Sequence, residues 1–301
     1  MRYLSYKKRS EDEKAVALGF FDGVHTAHRA VIERTAECTG LTPAAVTFGF
    51  SDSIKRGGVL QTEAEQEKRL RELGIQAVCR LDFSEVKDMP PEDFFQNILV
   101  EALNAKAVSC GYNFRFGKNA EGDIKTLERL CTDAGVRLLP VGEVMLDGVH
   151  VSTSEIKRLL SEGDIEKANR MLGYSYSITG KVVEGNRIGR EIGFPTVNQL
   201  IPSCKAPLKK GVYASIAEVD GAQYAGVTNI GVKPTVENRS EPLSETHILG
   251  FDGDLYGKTV TVKIISFLRP EIKFSSLEEL KEQISRDKTK AKEILSKREE
   301  L

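Results

Sequence analysis

The sequence predicts two domains of different class: an α/β domain on a parallel sheet, then a small antiparallel β-barrel with a C-terminal helix. Three observations predict this. Between Lys14 and Val141, apolar strand-length runs alternate with helical stretches of ten to fifteen residues, the pattern of βαβ units. From Tyr176 the apolar period becomes two, that of half-buried strands. A single amphipathic helix closes the chain behind Ser276. At 301 residues there is length enough for both domains, and the change of texture at Gly173-Tyr174 sets the expected boundary, 1–173 and 174–301.

In the first domain, Lys14–Phe21 is an apolar run ending in Asp22-Gly23, the signature of a buried strand and turn. The next helix puts Val31, Ile32 and Thr35 at core spacing and ends near Gly40. Ala44–Phe48 is a strand. Thr62 with Glu65 predicts a capping box for a helix to about Leu73, with Gly74 beyond. Gln76–Phe83 alternates as a strand, and Pro90-Pro91-Glu92-Asp93 opens a helix to about Leu103. Ala105–Cys110 (strand), Ile124–Ala134 (helix) and Val136–Val141 (strand) complete the alternation.

The second domain follows one or two short helices over 156–172, broken near Gly163-Asp164. Ser177–Glu184, Gly211–Val219, Gln223–Ile230 and Leu255–Leu268 are strands, the middle two joined across Asp220-Gly221-Ala222 as a hairpin. Ser276 with Glu279 predicts a second capping box, on a helix placing Leu277, Leu280, Ile284, Ile294 and Leu295 near one side. Several strands and one helix suit a small closed barrel.

Composition narrows the function. Lys and Arg number 43 against 44 Asp and Glu, a net charge of −1, so no bulk charge points to nucleic acid or a membrane surface. The N-terminus MRYLSYKKRSEDEK lacks the apolar core of a signal peptide, and no apolar run is long enough for a bilayer. The five cysteines have no C-x-x-C pair and read as reduced thiols of a cytoplasmic protein.

Ligands of parallel sheets bind beyond the carboxyl ends of the strands, and three segments of the first domain should meet there. Phe21-Asp22-Gly23-Val24-His25-Thr26-Ala27-His28 carries two imidazoles three residues apart at a helix N-terminus, where free N–H groups and the dipole favour an anion. Gly111-Tyr112-Asn113-Phe114-Arg115-Phe116-Gly117 follows a strand directly. Val151-Ser152-Thr153-Ser154-Glu155-Ile156-Lys157 opens a helix behind three hydroxyl residues, with a cation one turn in, a set suited to phosphate. In the second domain, Gly185, Arg187, Gly189, Arg190 and Gly193 suit a loop wrapping phosphates with backbone N–H groups, without the G-K-[ST] ending of a Walker motif. Beyond Pro195, Thr196 and Asn198 offer hard oxygens for Mg²⁺. Each feature has a structural alternative: capping histidines, a solvated Arg115, a simple N-cap cluster, a glycine turn, or a surface carboxylate at Glu245.

In order and spacing, FDGVHTAH, GYNFRFG with its following EGD, and VSTSEIK resemble the adenylyltransferase module of bacterial bifunctional riboflavin kinase/FAD synthetases, nucleotidyltransferases with an H-x-G-H signature. The resemblance implies a Rossmann-like domain that transfers AMP from ATP to FMN, giving FAD and pyrophosphate. It places His25 and His28 on the ATP phosphates, with His28 as transition-state stabiliser. Phe21, Asp22, Gly23, Asn113 and Arg115 line the ATP side, Asn113 also nearing the flavin, and Ser152, Thr153, Ser154 and Lys157 hold the triphosphate end. Three departures bear on rate: Ala27 replaces the signature's glycine, Lys157 an arginine, and Thr47-Phe-Gly-Phe-Ser-Asp52 lacks the usual His/Pro residues.

GREIGFPTVN, GVYASIAEVDGAQYAGVTNIGVKPT, ETHILGFDGDLYGK and FLRPEIKFSSLEELKEQI resemble the riboflavin kinase module of the same family over nearly all of the second domain. This implies a six-stranded barrel that phosphorylates riboflavin to FMN with ATP. Thr196 and Asn198 then serve Mg²⁺ and phosphates, and Glu245 is the general base, which needs hydrogen-bond reach to the alcohol. Arg269 to Phe274 form the flavin-side flap, where Arg269-Pro270 replaces a more usual Arg-Asp. The expected protein is a monomer or transient oligomer acting on small molecules. The alternatives are a riboflavin kinase with a degenerate first domain, or a non-catalytic flavin-binding regulator.

Overall fold

A computed structural model describes residues 1–50, 57–185, 193–233 and 241–299. It contains two compact units, Met1–Thr153 and Ser154–Leu301. The elements of the first unit are β1 (Arg2–Leu4), β2 (Lys14–Leu18), α1 (Thr26–Ala36), β3 (Thr42–Phe48), α2 (Glu63–Glu72), β4 (Ala77–Leu81), α3 (Phe83–Val86), α4 (Pro91–Asp93), β5 (Ala105–Gly111), α5 (Ile124–Asp133) and β6 (Arg137–Val141). A two-stranded ribbon, β7 (Met145–Leu146) and β8 (Val149–His150), follows.

The six strands pair in parallel in the order β1-β4-β3-β2-β5-β6. Every residue of β2 is buried, as a central parallel strand requires. Lys14 is the exception in chemistry: its ammonium is satisfied by Ser10 Oγ and, at 2.6 Å, by the Asp12 carbonyl. After β2 the chain adds β3 and β4 on one side, then crosses back to place β5 on the other. The order therefore reverses between β2 and β5, and their carboxyl ends carry the first two candidate segments.

The differences from expectation have local causes. Asp82 ends β4 early, because its side chain caps Ser84 N at 2.8 Å and starts α3. The helix opened at Pro91 continues as a π-helix over Phe94–Ala102, with Leu103 N bonded to Ile98 O at 3.0 Å. The capping box is present: Glu65 N donates to Thr62 Oγ1 at 3.3 Å, and Thr62 N to Glu65 Oε2 at 2.7 Å. Strand β1, absent from the expected elements, pairs at the sheet edge and keeps its charged and aromatic side chains exposed.

The second unit starts at the second residue of α6 (Thr153–Glu162) and continues with α7 (Ile165–Leu172), the two helices separated at Gly163, whose φ is +85°. Within this unit the helices are tied to the barrel. Lys209 N donates to Leu160 O at 3.1 Å, and buried Asn169 donates to Ile264 O at 2.9 Å while accepting from Tyr176 N at 2.7 Å. The strands β9 (Ser177–Lys181), β10 (Val197–Leu200), β11 (Gly211–Val219), β12 (Ala222–Lys233), β13 (Glu241–Ile248) and β14 (Thr259–Arg269) form an antiparallel sheet ordered β10-β13-β12-β11-β14-β9. A bridge from Val183 N to Asn198 O, 2.8 Å, nearly closes it into a barrel. The hairpin turn is the pair Asp220-Gly221, both at positive φ, with Ala222 already paired to Val219.

Helix α8 (Leu277–Glu299) packs Ala291 and Ile294 against Val212, Ala214, Val227 and Leu268. Leu277, expected on the apolar side, is exposed; the buried stripe starts nearly three turns later, at Asp287, and continues through Ala291 and Leu295. The second capping box is displaced by one residue. Glu279 N donates to Ser276 Oγ at 3.2 Å, but the Glu279 carboxylate accepts from Ser275 N at 3.0 Å. Among the described residues no helix is long and apolar enough to cross a membrane, and all five cysteines are free.

Candidate active sites

The first candidate site grows from the turn after β2. Phe21, Gly23 and Val24 all have positive φ, 52°, 85° and 37°. For Phe21 and the β-branched Val24 this conformation is strained and must be imposed by neighbours. They are identifiable. Thr47 Oγ1 donates to Phe20 O at 2.8 Å, Gln61 Nε2 to Phe21 O at 2.9 Å, and Gln66 Nε2 to both carbonyls at 3.0 and 3.2 Å. Asp22 Oδ1 accepts from Leu60 N at 2.7 Å, and Thr153 Oγ1 donates to Asp22 O at 3.2 Å. Gly19 leaves room for the Phe21 ring, which an added Cβ would meet at 2.8 Å.

This turn delivers the histidines. His25 is the N-cap of α1 rather than a residue within the helix, and its Nδ1 accepts from His28 N at 3.3 Å. Nδ1 is therefore unprotonated, and the neutral ring carries its proton on Nε2. The imidazoles stack with centroids 3.6 Å apart and planes at 15°, and Phe21 meets His28 edge-on at 5.4 Å. Burial, then the nearby charge of His150, pushes the His25 pKa down to about 4. Burial and His25 hold His28 well below the ordinary imidazole value. Two neutral rings thus stand at a helix N-terminus whose first turn holds no acidic residue. His28 Nδ1 is buried with no partner among the described residues.

The second segment leaves β5 at Gly111. Tyr112, Asn113 and Arg115 are exposed, and Arg115 approaches Asp123 at 3.9 Å. Phe116 exchanges both backbone bonds with Gly122 and stacks with Phe114 at 5.7 Å, so aromatic rings fix this loop. Between it and the ends of β2 and β3 lies a cavity of about 460 Å³, lined by Leu18, Val46, Phe48, Phe83, Phe114 and Arg115 among others. Its wall, which includes five phenylalanines, suits a flat heterocycle. Ser152 precedes α6, and Ser154 and Lys157 lie in its first two turns, within the second unit.

The second candidate site lies on the barrel. Asn198 and Glu245 are directly paired across β10 and β13, and Glu245 is paired to Asn229 on β12. Strand alternation turns Ser244, Thr246 and Ile248 into the core, leaving half-buried Glu245 and His247 on the other face. Asn198 is buried, and its Oδ1 has no partner among the described residues. Gly185 lies against this amide; an added Cβ there would sit 2.4 Å from Nδ2. Thr196 is exposed and lines a cavity of about 270 Å³ with Pro195, Ile248, Phe251, Asp254 and Tyr256. The orphaned buried oxygen of Asn198 and the open hydroxyl of Thr196 are hard donors of the kind Mg²⁺ takes alongside water and phosphate, so these residues fit that ion. Arg187, Gly189 and Arg190 lie outside the described residues. Gly193 is described, with φ +85°.

Two side chains here escaped the sequence reading or acquired a partner it did not foresee. His247 Nδ1 donates to Pro195 O at 2.8 Å, and its ring meets Phe194 edge-on at 5.5 Å. The alternating segment ETHILGF was the available signal, since it puts His247 on the same face as Glu245. Arg269 is held by Asp287 of α8, through Nε at 3.1 and 3.0 Å and Nη2 at 2.8 Å, with Phe274 5.9 Å from its guanidinium carbon.

A parallel sheet with paired imidazoles at its switch point, and a barrel presenting hard oxygens and a carboxylate, define the class: two units, each carrying side chains of the kind that bind phosphate. Comparison with known proteins specifies it. The FAD synthetase family model matches residues 7–155 and the riboflavin kinase model residues 172–295. The Bacillus subtilis bifunctional riboflavin kinase/FMN adenylyltransferase is 35% identical over 297 residues, 94% of this chain and 93% of that protein. Its Listeria monocytogenes and Escherichia coli namesakes are each 32% identical, over 95% and 93% of this chain and 94% and 92% of their own lengths. The chain belongs to the bifunctional riboflavin kinase/FMN adenylyltransferase family. A crystal structure titled macrolide-efflux protein from Streptococcus pneumoniae shares the fold, with TM-score 0.86, 24% identity and coverage of 97% of this chain and 99% of that one.

Proposed function

We propose that this chain makes FMN from riboflavin and ATP on its barrel, and FAD and pyrophosphate from FMN and ATP on its parallel sheet. The observation that carries the reading is that each unit has a cavity of its own: one at the ends of β2 and β3, lined by five phenylalanines and Arg115, and one lined by Thr196, two residues before the Asn198 that pairs with Glu245. The two catalytic domains divide at 173/174. This is supported by the left-handed Gly173 cap that ends α7 and by the start of the kinase match at 172.

In adenylyl transfer, an FMN phosphate oxygen attacks the α-phosphorus of ATP and pyrophosphate leaves. Neutral His25 and His28 act as N–H donors to the phosphate oxygens, with His28 stabilising the charge that develops. Phe21, Asp22, Gly23, Asn113 and Arg115 shape the nucleotide side, and Ser152, Thr153, Ser154 and Lys157 hold the triphosphate end. In phosphoryl transfer, Glu245 accepts the proton of the ribityl 5′-hydroxyl as its oxygen attacks the γ-phosphorus. Thr196 and Asn198 would hold Mg²⁺, which neutralises phosphate charge when bound. Gly185, Gly193 and Pro195 shape the phosphate side, joined by Arg187, Gly189 and Arg190. Phe274, backed by Arg269, faces the flavin.

The test is purified chain with riboflavin, ATP and Mg²⁺, followed by chromatography. FMN and then FAD are expected. FMN without FAD favours the second reading, a kinase with a silent first domain, which Ala27 and Lys157 motivate. Riboflavin binding without ATP consumption overturns both. The proposed setting is a cytoplasmic monomer or transient oligomer, working without nucleic acid or membrane. Free cysteines and the near-neutral net charge of −1 support that setting.

A further inference from the structure

On β13, Glu245 and His247 share a face, and the β10 pairing sets Asn198 opposite Glu245 and Val197 opposite Thr246. The imidazole Nδ1 lies 2.8 Å from the carbonyl oxygen of Pro195, the residue before Thr196. A carbonyl only accepts, so Nδ1 carries the proton and the tautomer is settled by the partner. The same ring stands edge-on to Phe194, whose other neighbour is Lys288 of α8, with Nζ 5.0 Å from the ring centre. Phe194 and Pro195 are thus gripped on both sides, by strand β13 and by helix α8, in the stretch that presents Thr196 to the cavity.

We propose that His247 is a positioning residue for phosphoryl transfer: by donating from Nδ1 to the Pro195 carbonyl, with Phe194 braced by Lys288, it holds Thr196 at the nucleotide end of the site. This rests on the kinase reading above. His247 touches no reacting atom in this scheme; it acts through the backbone of Pro195. The pairing makes chemical sense because Pro195 has no N–H and its segment precedes the first residue of β10, so ladder bonds do not restrain it. A loop that must place one hydroxyl needs a restraint of its own, and a loss of placement by about 1 Å at such a point costs on the order of tenfold or more in rate.

Four substitutions separate the donor from the ring. In asparagine the amide nitrogen falls near the place of Nδ1, in glutamine near that of Nε2, phenylalanine keeps the ring without a donor, and alanine removes both. The expected result for His247→Ala is a fall of about 10- to 30-fold in kcat/KM for ATP in riboflavin phosphorylation, with a higher Mg²⁺ concentration for half-maximal rate. His247→Asn recovers to within about threefold of the parent chain, while His247→Gln and His247→Phe resemble alanine. Lys288→Ala shows a loss of about two- to fivefold. Conversion of supplied FMN to FAD by the same preparations stays unchanged, and unchanged hydrogen exchange in the β11 and β12 peptides verifies the barrel fold. The core variant Ile264→Val, a stability control, leaves the Mg²⁺ requirement where it was. Equal behaviour of the asparagine and glutamine variants, or all four within twofold of the parent, overturns the proposal.

Hydrogen exchange of the peptide covering 193–200 gives a readout free of turnover. It should accelerate in His247→Ala while β11 and β12 peptides do not change, and unchanged exchange overturns the clamp. A parent chain that forms no FMN overturns the kinase reading alone, leaving exchange to decide whether His247 restrains the loop.

Discussion

The two candidate sites solve one problem, holding phosphate-directed groups still, on opposite kinds of backbone. The first is a strained turn: Phe21 and Val24 sit at positive φ, and side chains from β3, α2 and the segment before it take up its carbonyls. The second is a strand face, where register alone sets Asn198 beside Glu245 and only Pro195 needs an added restraint. A turn has no ladder, so its order must be imported through buried polar groups; a strand receives its order from its neighbours' backbones. The chemistry differs accordingly. Buried imidazoles are held neutral at the turn, whereas the barrel presents oxygens at the edge of an open cavity.

The largest expected effect is a reciprocal one. Asn198→Ala should lower riboflavin phosphorylation by about 10²- to 10³-fold and spare conversion of supplied FMN to FAD, and His28→Ala should do the reverse. Separate chromatographic assays of the two steps check this. One substitution that abolished both steps in a folded chain would break the two-site comparison.

Next is the pH response, to which the first unit contributes through His25 and His28, although burial also lowers the pKa of His247 of the barrel. The unfolded chain protonates His25 near pH 6.5, the folded chain only near 4. As pH falls between those values the unfolded state binds more protons, so stability is lost. Complete, the loss is about 3 kcal/mol from this residue. Denaturant unfolding at pH 7 and pH 4.5, with His25→Asn as control, measures it. A histidine variant that loses as much stability as the parent would remove the buried-neutral assignment.

Gly185→Ala should cost riboflavin phosphorylation about 10- to 100-fold, because its Cβ would sit 2.4 Å from Asn198 Nδ2 and force the amide aside. ATP titration at fixed riboflavin reads this out. The smallest effect is at a helix end: Thr62→Ala should lower stability by about 1 kcal/mol, seen as a shifted denaturation midpoint with both activities retained.

Much of the fold was legible because its signals are local. The alternation of strands and helices, the Thr62–Glu65 box and the Asp220-Gly221 turn are set by residues a few positions apart. Strand β1 was hidden because three residues at an exposed edge carry no apolar pattern. Leu277 was misplaced because a helical stripe does not announce where packing begins. The histidines were legible as a pair at a helix start; their stacking, and the role of His25 as cap, were not. Gln61, Gln66 and His247 look like ordinary polar residues until their carbonyl partners are seen.

By itself the sequence determined the two domain classes, the alternation of most strands and helices in the first domain, the Thr62 cap and the Asp220-Gly221 turn, and which side chains could carry phosphate chemistry. Tertiary structure decided which of them meet. The Asn198–Glu245 pairing, the seizure of Arg269 by Asp287 and the depressed basicity of His25 all join residues distant along the chain or depend on exclusion of water. Local preferences act over one turn or one strand. Register, burial and electric field exist only once the chain has closed around itself, and there they choose among the groups that local preference made available.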